Sequence, residues 1–538
     1  MFAHFRPLFF IFVALLMGIY FCYVFYYVSS TLSYISLILC LAVVLLILAS
    51  LFCHNDKVLN KIYNTRKALV CVVTCFMIGF ATFVGMYRTY TFDYEFDSDT
   101  DYYLVGSVKS NYSYTQTEDG DEYLRFLIKD VVVMVDGQEV SLSKNVYLKI
   151  TVSNFNESSD LYQLSVNDDI VLSGSFVKTP VFGDNYLYEY AYKNNFEYSM
   201  YLEEDDIILY NKEPVGLDAV REKIHDTLYK YMSPKYASLA YSVLIGDRTG
   251  LDDEIENNLK VTGVAHIVAV SGLHVGFVVT LMALVLKLCR VKKGYLKFLI
   301  TTVVLIFYCV LCGMTPSVTR ATIMAICLLS AKAFRKQSDG ISSVSLAGII
   351  ILCMHPLYVF DVSFQLSFSA VFAIMLLVPL FSLCYKKFKK NKILNSVFDT
   401  INLSLSAQIG TMPYIMKTFN YVSTFSLLIN IVIVPFFGIV YMLLFVLTIL
   451  SMLLPFVGYL LYIPQICFVA IDFVTNCVAS IPFATLPVKT LLPLELFVWA
   501  FSLFVISDKC ILNTRTKRKL GITAVYVAVL LMILCLVL

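Results

Sequence analysis

The chain carries a long series of apolar blocks, each about as long as a bilayer's hydrocarbon core is thick. Leu37 to Phe52, Ile431 to Leu450 and Val525 to Leu538 are examples. Crossing ~30 Å of hydrocarbon takes about 20 residues of helix. Over 538 residues, 59% are hydrophobic and only 15% charged, whereas soluble domains run near 45–50% apolar and about 25% charged. A soluble enzyme is excluded, and the pattern is that of a polytopic α-helical membrane protein.

Three spans are expected near 8–28, 34–53 and 68–88. Arg6 is followed by apolar residues to Val28 with no small-residue cleavage site, so the first span reads as retained. Lys57, Lys61, Arg66 and Lys67 separate the second and third spans, and by the positive-inside bias that loop is cytoplasmic. Residues 91–215 then fall outside. They hold 24 of the 39 Asp and Glu but 8 of the 41 Lys and Arg, a formal charge of −16.

Within this acidic segment, β-rich runs recur at Tyr102 to Ser107, Tyr123 to Ile128, Val131 to Val135, Val146 to Val152, Ile170 to Val177 and Glu197 to Leu202. Turn residues such as Asp136-Gly137 separate them, the pattern of a small β-barrel or sandwich. Tyr186 to Tyr192 reads as a helix. None of the 15 cysteines lies between Cys75 and Cys289, so this domain has no disulfide of its own. Cys309 and Cys312 form a CxxC inside an apolar run with no second pair nearby, and read as buried thiols.

From 216 to 262 the spacing becomes helical, as in Leu217, Val220, Ile224 and Leu228. These amphipathic helices are expected at the membrane surface or packed beneath the bundle. Ten further apolar segments follow, near 264–288, 295–312, 318–334, 341–354, 362–384, 397–418, 425–450, 456–480, 491–507 and 521–537. That makes about 13 in all, some short or Pro-interrupted and so candidates for re-entrance. Alternating them from an outside start places the basic clusters Arg290 to Lys297, Lys332 to Lys336, Lys386 to Lys392 and Arg515 to Lys519 on the cytoplasmic side. The expected organisation is three spans over 1–90, the acidic extracytoplasmic domain over 91–215, amphipathic helices over 216–262, a channel-forming bundle over 263–507, and a basic loop with a last span over 508–538.

Polar side chains inside spans are costly against lipid, so they mark cavities, partners or function. Read as one helix, residues 265–276 put Ala265, Ala269, Gly272 and Gly276 on one stripe suited to close packing, with His266, Ser271 and His274 on the other side. Arg320, Asp361, Gln365, Gln408 before Pro413 and Asn430 before Pro435 continue the series. Gly246-Asp247-Arg248-Thr249-Gly250 precedes the acidic helix start Asp252-Asp253-Glu254. A turn with a cap is the bland reading of that stretch.

Taken in order, Gly246-Asp247-Arg248 with Gly250-Leu251, Gly263 and His266, Ser271-Gly272-Leu273-His274-Val275, Pro316-Ser317-Val318 with Arg320-Ala321, and Phe364-Gln365-Leu366-Ser367-Phe368 resemble the ComEC family of competence proteins. The resemblance is strongest from about 240 to 436. It implies a membrane channel that admits one strand of DNA to the cytoplasm during transformation, with an OB-like domain outside. It also implies an extracellular DNA receptor and a cytoplasmic ATP-driven motor as partners, since the chain has no GxxxxGK[ST] phosphate loop. The extracellular metallo-β-lactamase-like domain of many family members is not matched here, and the six histidines contain no HxHxDH cluster. A separate nuclease is therefore expected. No metal site or cofactor is expected.

The candidate lining is Asp247, Arg248, His266, Ser271, His274, Arg320, Asp361, Gln365, Gln408 and Asn430, with Arg320 the expected cationic contact to phosphate. In the outer domain Tyr112, Tyr123, Arg125 and Lys129 are a candidate DNA patch, although a charge of −16 opposes a polyanion. Two other classes compete. Ser271 with His266 or His274 and Asp361 supplies the residue types of an intramembrane serine hydrolase, and an ion or solute transporter would share the cavity.

Overall fold

The computed structural model describes residues 7–28, 78–79, 96–109, 113–116, 122–135, 137–142, 144–152, 168–178, 196–203, 207–210, 216–248, 250–382 and 392–488. The expected spans near 34–53, 491–507 and 521–537, nearly all of that near 68–88, and the Tyr186 to Tyr192 stretch lie outside the described residues. The described residues form two compact units, one drawn from 13–224 and 355–358 and the other from the remainder. Helix α1 spans Pro7–Val28.

The β unit contains β1 (Asp101–Val108), β2 (Ser113–Gln116), β3 (Glu122–Val135), β4 (Gln138–Ser141), β5 (Asn145–Val152), β6 (Asp169–Ser175), β7 (Val177–Lys178), β8 (Phe196–Glu203) and β9 (Ile207–Tyr210). The sheet runs β7-β8-β5-β3-β1-β6-β9, with β2 and β4 also paired to β3. Among the described strands only the β5–β8 pairing is parallel. Alternation sends Leu124, Phe126 and Ile128, Val146, Leu148 and Ile150, and Ile170 and Leu172 into one core. The runs at 123–128 and 131–135 are one strand. It bends at Asp130, whose φ is 51°, where the register against β1 slips between Val105 and Ser107. Such a bulge breaks the two-residue period, which is why the sequence reads as two strands. The path ends at β7 and β9, so the described strands make an open half-barrel rather than a closed one.

The helical unit begins within α2 (Leu217–Tyr231) and continues through α3 (Pro234–Ile245), α4 (Asp253–Val261), a 3₁₀ turn (Ala265–Ile267), α5 (Gly272–Leu288), α6 (Gly294–Leu311), α7 (Pro316–Ala333), α8 (Gly340–Met354), α9 (Val362–Phe381), α10 (Lys392–Phe419), α11 (Ser426–Leu453), a 3₁₀ segment (Pro455–Leu461) and α12 (Tyr462–Ala479). Among the described residues four stretches are long and apolar enough to cross a membrane: α6, α9, α11 and Pro455–Ala479. Helices α5 and α8 are apolar but shorter.

Packing arranges five of these helices in a ring. Helix α5 packs on α7, α7 on α9, α9 on α10, α10 on α11, and α11 back on α5, while no pair across the ring packs extensively. Helix α6 fills the outer groove between α5 and α7, α8 that between α7 and α9, and α12 lies against α11. A short ribbon pairs Tyr421–Ser423 (β10) with Thr485–Pro487 (β11). It puts the α10–α11 turn and the segment after α12 at one end of the bundle, as alternating spans require.

Helix α3 does not lie on a surface. Ala237, Ser238, Leu239, Ala240, Ser242, Val243, Leu244 and Ile245 are all buried, and the helix packs against α11 and α12. Of the two placements expected for 216–262, the membrane surface does not fit α3.

Candidate functional site

The stretch from Ala265 to Gly276 is not one helix. After the 3₁₀ turn the chain extends at Ser271 (φ −132°, ψ 179°), and α5 starts at Gly272. The small-residue stripe expected over 265–276 therefore does not exist as a face, and nothing stands within 4 Å of a Cβ built at Gly276. The cause is local. Ser271 Oγ accepts the Leu273 N–H at 3.3 Å, and the Ser271 N–H donates to His274 Nδ1 at 3.1 Å. This reciprocal cap stops the helix from extending backward.

The same cap accounts for the Ser271–His274 pair. Ser271 Oγ lies 3.2 Å from His274 Nδ1, but that nitrogen already accepts a backbone N–H. His274 is fully buried, and its Nε2 has no partner among the described residues. Its ring instead meets Tyr441 and Phe437 edge-on, at 4.7 and 5.6 Å between centroids. Among the described residues no carboxylate is bonded to it, and Asp361 caps α9 by accepting the Phe364 N–H at 3.1 Å.

Arg320 sits one turn into α7 and is 6% exposed. It donates through Nη1 to the Ser367 carbonyl of α9 at 2.6 Å, and its guanidinium stands 5.8 Å from the Phe368 ring. Its Nη2 lies 3.2 Å from where a Cβ on Gly272 would be. Arg320 thus bridges three neighbouring helices of the ring, α5, α7 and α9. Ser317 Oγ donates to the Ser363 carbonyl at 3.3 Å, tying the amino ends of α7 and α9 together. Gln365, half-buried on α9, donates to the Val359 carbonyl at 3.0 Å.

Gln408 on α10 and Asn430 on α11 complete the ring. Asn430 shares a helix face with Ile433, Phe437 and Tyr441, all buried, and that face meets His274. Val432 and Ile439 on the opposite face are 67% and 71% exposed. Each amide lies five residues before a helix proline, Pro413 or Pro435, which has no N–H to donate to the carbonyl four residues back. Gln408 Nε2, Asn430 Oδ1, His274 Nε2 and Arg320 Nε are all buried without a hydrogen-bond partner among the described residues. They sit on four of the five ring helices, and Asp361 and Gln365 start the fifth.

His266, exposed on the 3₁₀ turn, is an electrostatic neighbour of His274. The remaining candidates sit elsewhere. Asp247 and Arg248 lie in the α3–α4 turn, where Arg248 pairs with Glu256 at 3.5 Å and Asp252 caps α4. Gly246 of this turn abuts Val270, just before the α5 cap. In the β unit, Tyr123, Arg125 and Lys129 share one side of β3, while Tyr112 lies outside the described residues. Lys149 Nζ stands 3.6 Å over the Tyr123 ring and 5.5 Å from that of Tyr201. Burial, and then the nearby Lys129 charge, hold the Lys109 pKa below its usual value. Burial pushes the Tyr147 hydroxyl up, with Arg125 opposing it. A local basic and aromatic face thus exists within the acidic segment.

Three features escaped the sequence reading. Tyr308 and Tyr441 are buried and share a hydrogen bond of 2.9 Å, yet tyrosine passes as apolar in a hydropathy count. Asn402 donates to the Val378 carbonyl at 3.0 Å, joining α10 to α9. Asp472, inside α12, accepts from Tyr236 at 3.1 Å and pairs with Lys235 at 3.4 Å. The rule that selected Arg320, a charge within an apolar run, would have found Asp472. Cys309 and Cys312 are buried thiols, as expected.

Residues 243–507 match the family described as Competence protein. A stretch of 222 residues is 26% identical to ComE operon protein 3 of Bacillus subtilis, covering 41% of this chain and 27% of that protein. Another of 221 residues is 28% identical to an uncharacterized protein of Aquifex aeolicus, covering 41% and 48%. One of 209 residues is 24% identical to Recombination protein 2 of Haemophilus influenzae, covering 37% and 26%. The chain thus spans between about a quarter and a half of these relatives. No solved structure matches it significantly. The ordered motifs, the family match and the relatives agree that residues 243–507 carry a Competence-family domain.

Proposed function

We propose that this protein is a multi-pass channel of the cell membrane that passes single-stranded DNA into the cytoplasm during natural transformation. The family description and the names ComE operon protein 3 and Recombination protein 2 support this class of role. The observation that carries the channel is the ring of five helices with four unpartnered buried polar atoms, on His274, Arg320, Gln408 and Asn430. Buried polar atoms in native proteins are met by water or ligand, and a phosphodiester backbone must stay hydrated or hydrogen-bonded throughout transit. One cation among several neutral amides suits passage, because conduction needs sites that release as readily as they bind.

In this reading about 13 spans carry the acidic domain outside. The face of Tyr123, Arg125 and Lys129 is a secondary contact for the incoming strand. A surface DNA receptor, a separate nuclease and a cytoplasmic ATP-driven motor serve as partners. The test is a deletion strain scored separately for DNA bound at the cell surface and for strand arriving inside. Normal surface binding with no internal strand is expected, and undiminished arrival overturns the proposal.

A further inference from the structure

We propose that Arg320 and the amino end of α5 form an anion-binding corner for one phosphate-type oxyanion, which in the working protein is a phosphodiester of the passing strand. The corner rests on geometry alone, and only its occupant rests on the channel reading above.

Arg320 is 94% buried, and among the described residues no carboxylate pairs with it. Its polar contact is the neutral Ser367 carbonyl, and Nε is left over. A buried guanidinium without a counter-charge is strongly unfavourable. The group beside it makes matters worse, because Nη2 stands against Gly272, the first residue of α5. That is the positive end of a 17-residue helix. The Leu273, His274 and Val275 amides turn back onto Ser271, and no cap bond uses the Gly272 N–H. Two positive features thus adjoin without a counter-charge among the described residues, and an anion beside both resolves them.

The residue types fit phosphate. A guanidinium presents a planar fork that matches two phosphate oxygens, which an ammonium does not. A Cβ at 272 would stand 3.2 Å from Nη2, so the guanidinium would have to shift by a few tenths of an ångström, while its 3.5 Å approach to the Ala321 Cβ is ordinary contact. Asp361, the nearby buried acid on α9, is engaged at its own helix cap.

The experiment uses the full chain purified in dodecyl maltoside, a detergent without phosphate. Thermal unfolding is followed with inorganic phosphate or with chloride at equal ionic strength. Wild type is expected to gain a phosphate-specific rise in midpoint that R320Q lacks, and R320K and G272A to need roughly tenfold more phosphate for the same rise. Should R320Q not fold, R320K and G272A carry the test, and wild-type phosphate affinity in both overturns the corner. Fluorescent oligothymidylate is expected to compete with phosphate in wild type. If phosphatidylglycerol competes and oligothymidylate does not, the occupant is a lipid headgroup and the strand assignment falls. Phosphate binding that depends on Arg320, in a protein whose deletion leaves DNA arrival intact, would preserve the corner and remove the channel.

Discussion

The hydroxyls of Tyr308 on α6 and Tyr441 on α11 meet at 2.9 Å inside the helical unit, and Tyr308 also reaches the Leu244 carbonyl at the end of α3 at 3.3 Å. With one proton each, Tyr308 donates to Leu244 and Tyr441 donates to Tyr308. The pair links three helices through one oxygen. Y308F strands the Tyr441 hydroxyl and leaves Leu244 only the Cys312 thiol at 3.7 Å, a cost of about 1–3 kcal/mol. Y441F leaves Tyr308 its carbonyl and costs about 0.5–1.5 kcal/mol. Thermal unfolding in detergent should rank Y308F below Y441F, and the reverse order would refute this proton arrangement.

Gly263 and Gly276 should respond in opposite ways to alanine. Gly263 has φ 75°, and a Cβ there would approach the Ser426 Cβ to 2.5 Å, so G263A should separate the turn before α5 from the start of α11 and lower the yield of folded protein. Gly276 lies inside α5 with open space beside it, and G276A should stabilise by up to about 1 kcal/mol through helix propensity. Folded yield and unfolding midpoint in detergent decide both. A severe G276A defect would restore the small-residue stripe that the structure removes.

How far the sequence carried differs from element to element. Hydropathy located α6, α9, α11 and Pro455–Ala479 closely, because lipid-facing helices must be apolar along their length. It also singled out Arg320, Gln408 and Asn430, because a polar group in an apolar run stands out. The start of α5 was misplaced, since a serine–histidine cap looks like any other polar pair on a helical wheel. The closure of α5, α7, α9, α10 and α11 into a ring was not legible, because which helix packs on which is set by side-chain contacts remote in sequence. Strands of four residues, β2, β4 and β9, are too short for a two-residue period to register.

Asp472 should anchor α3 to α12. D472A removes the acceptor for Tyr236 and the partner of Lys235, and a loss of about 1–3 kcal/mol is expected. D472N keeps a carbonyl oxygen for Tyr236 and should lose less. Equal unfolding midpoints for D472A and wild type would show that the contact contributes nothing.

Lys109 and Lys129 repel each other on the β unit. The Lys109 pKa is depressed by burial and then by Lys129, so the unfolded chain holds its proton more tightly and stability rises with pH on approach to 10.5. K129Q should raise stability at low salt by no more than about 0.5 kcal/mol, and added salt should erase the gain. A loss of stability at low salt would mean that Lys129 serves a favourable contact instead.

The hydrated ring is tested most directly by cysteine accessibility. Single cysteines replace Gln408 and Asn430, whose amides carry buried atoms without a partner among the described residues, or Leu403, Leu428 and Val432 on uncovered helix faces, which are 49%, 63% and 67% exposed, in a membrane-embedded chain cleared of its native cysteines. The account predicts that a water-soluble, membrane-impermeant thiol reagent modifies positions 408 and 430, that oligothymidylate slows this, and that positions 403, 428 and 432 stay protected by lipid. Unreactive cysteines at both 408 and 430 in a chain that still takes up DNA would contradict it.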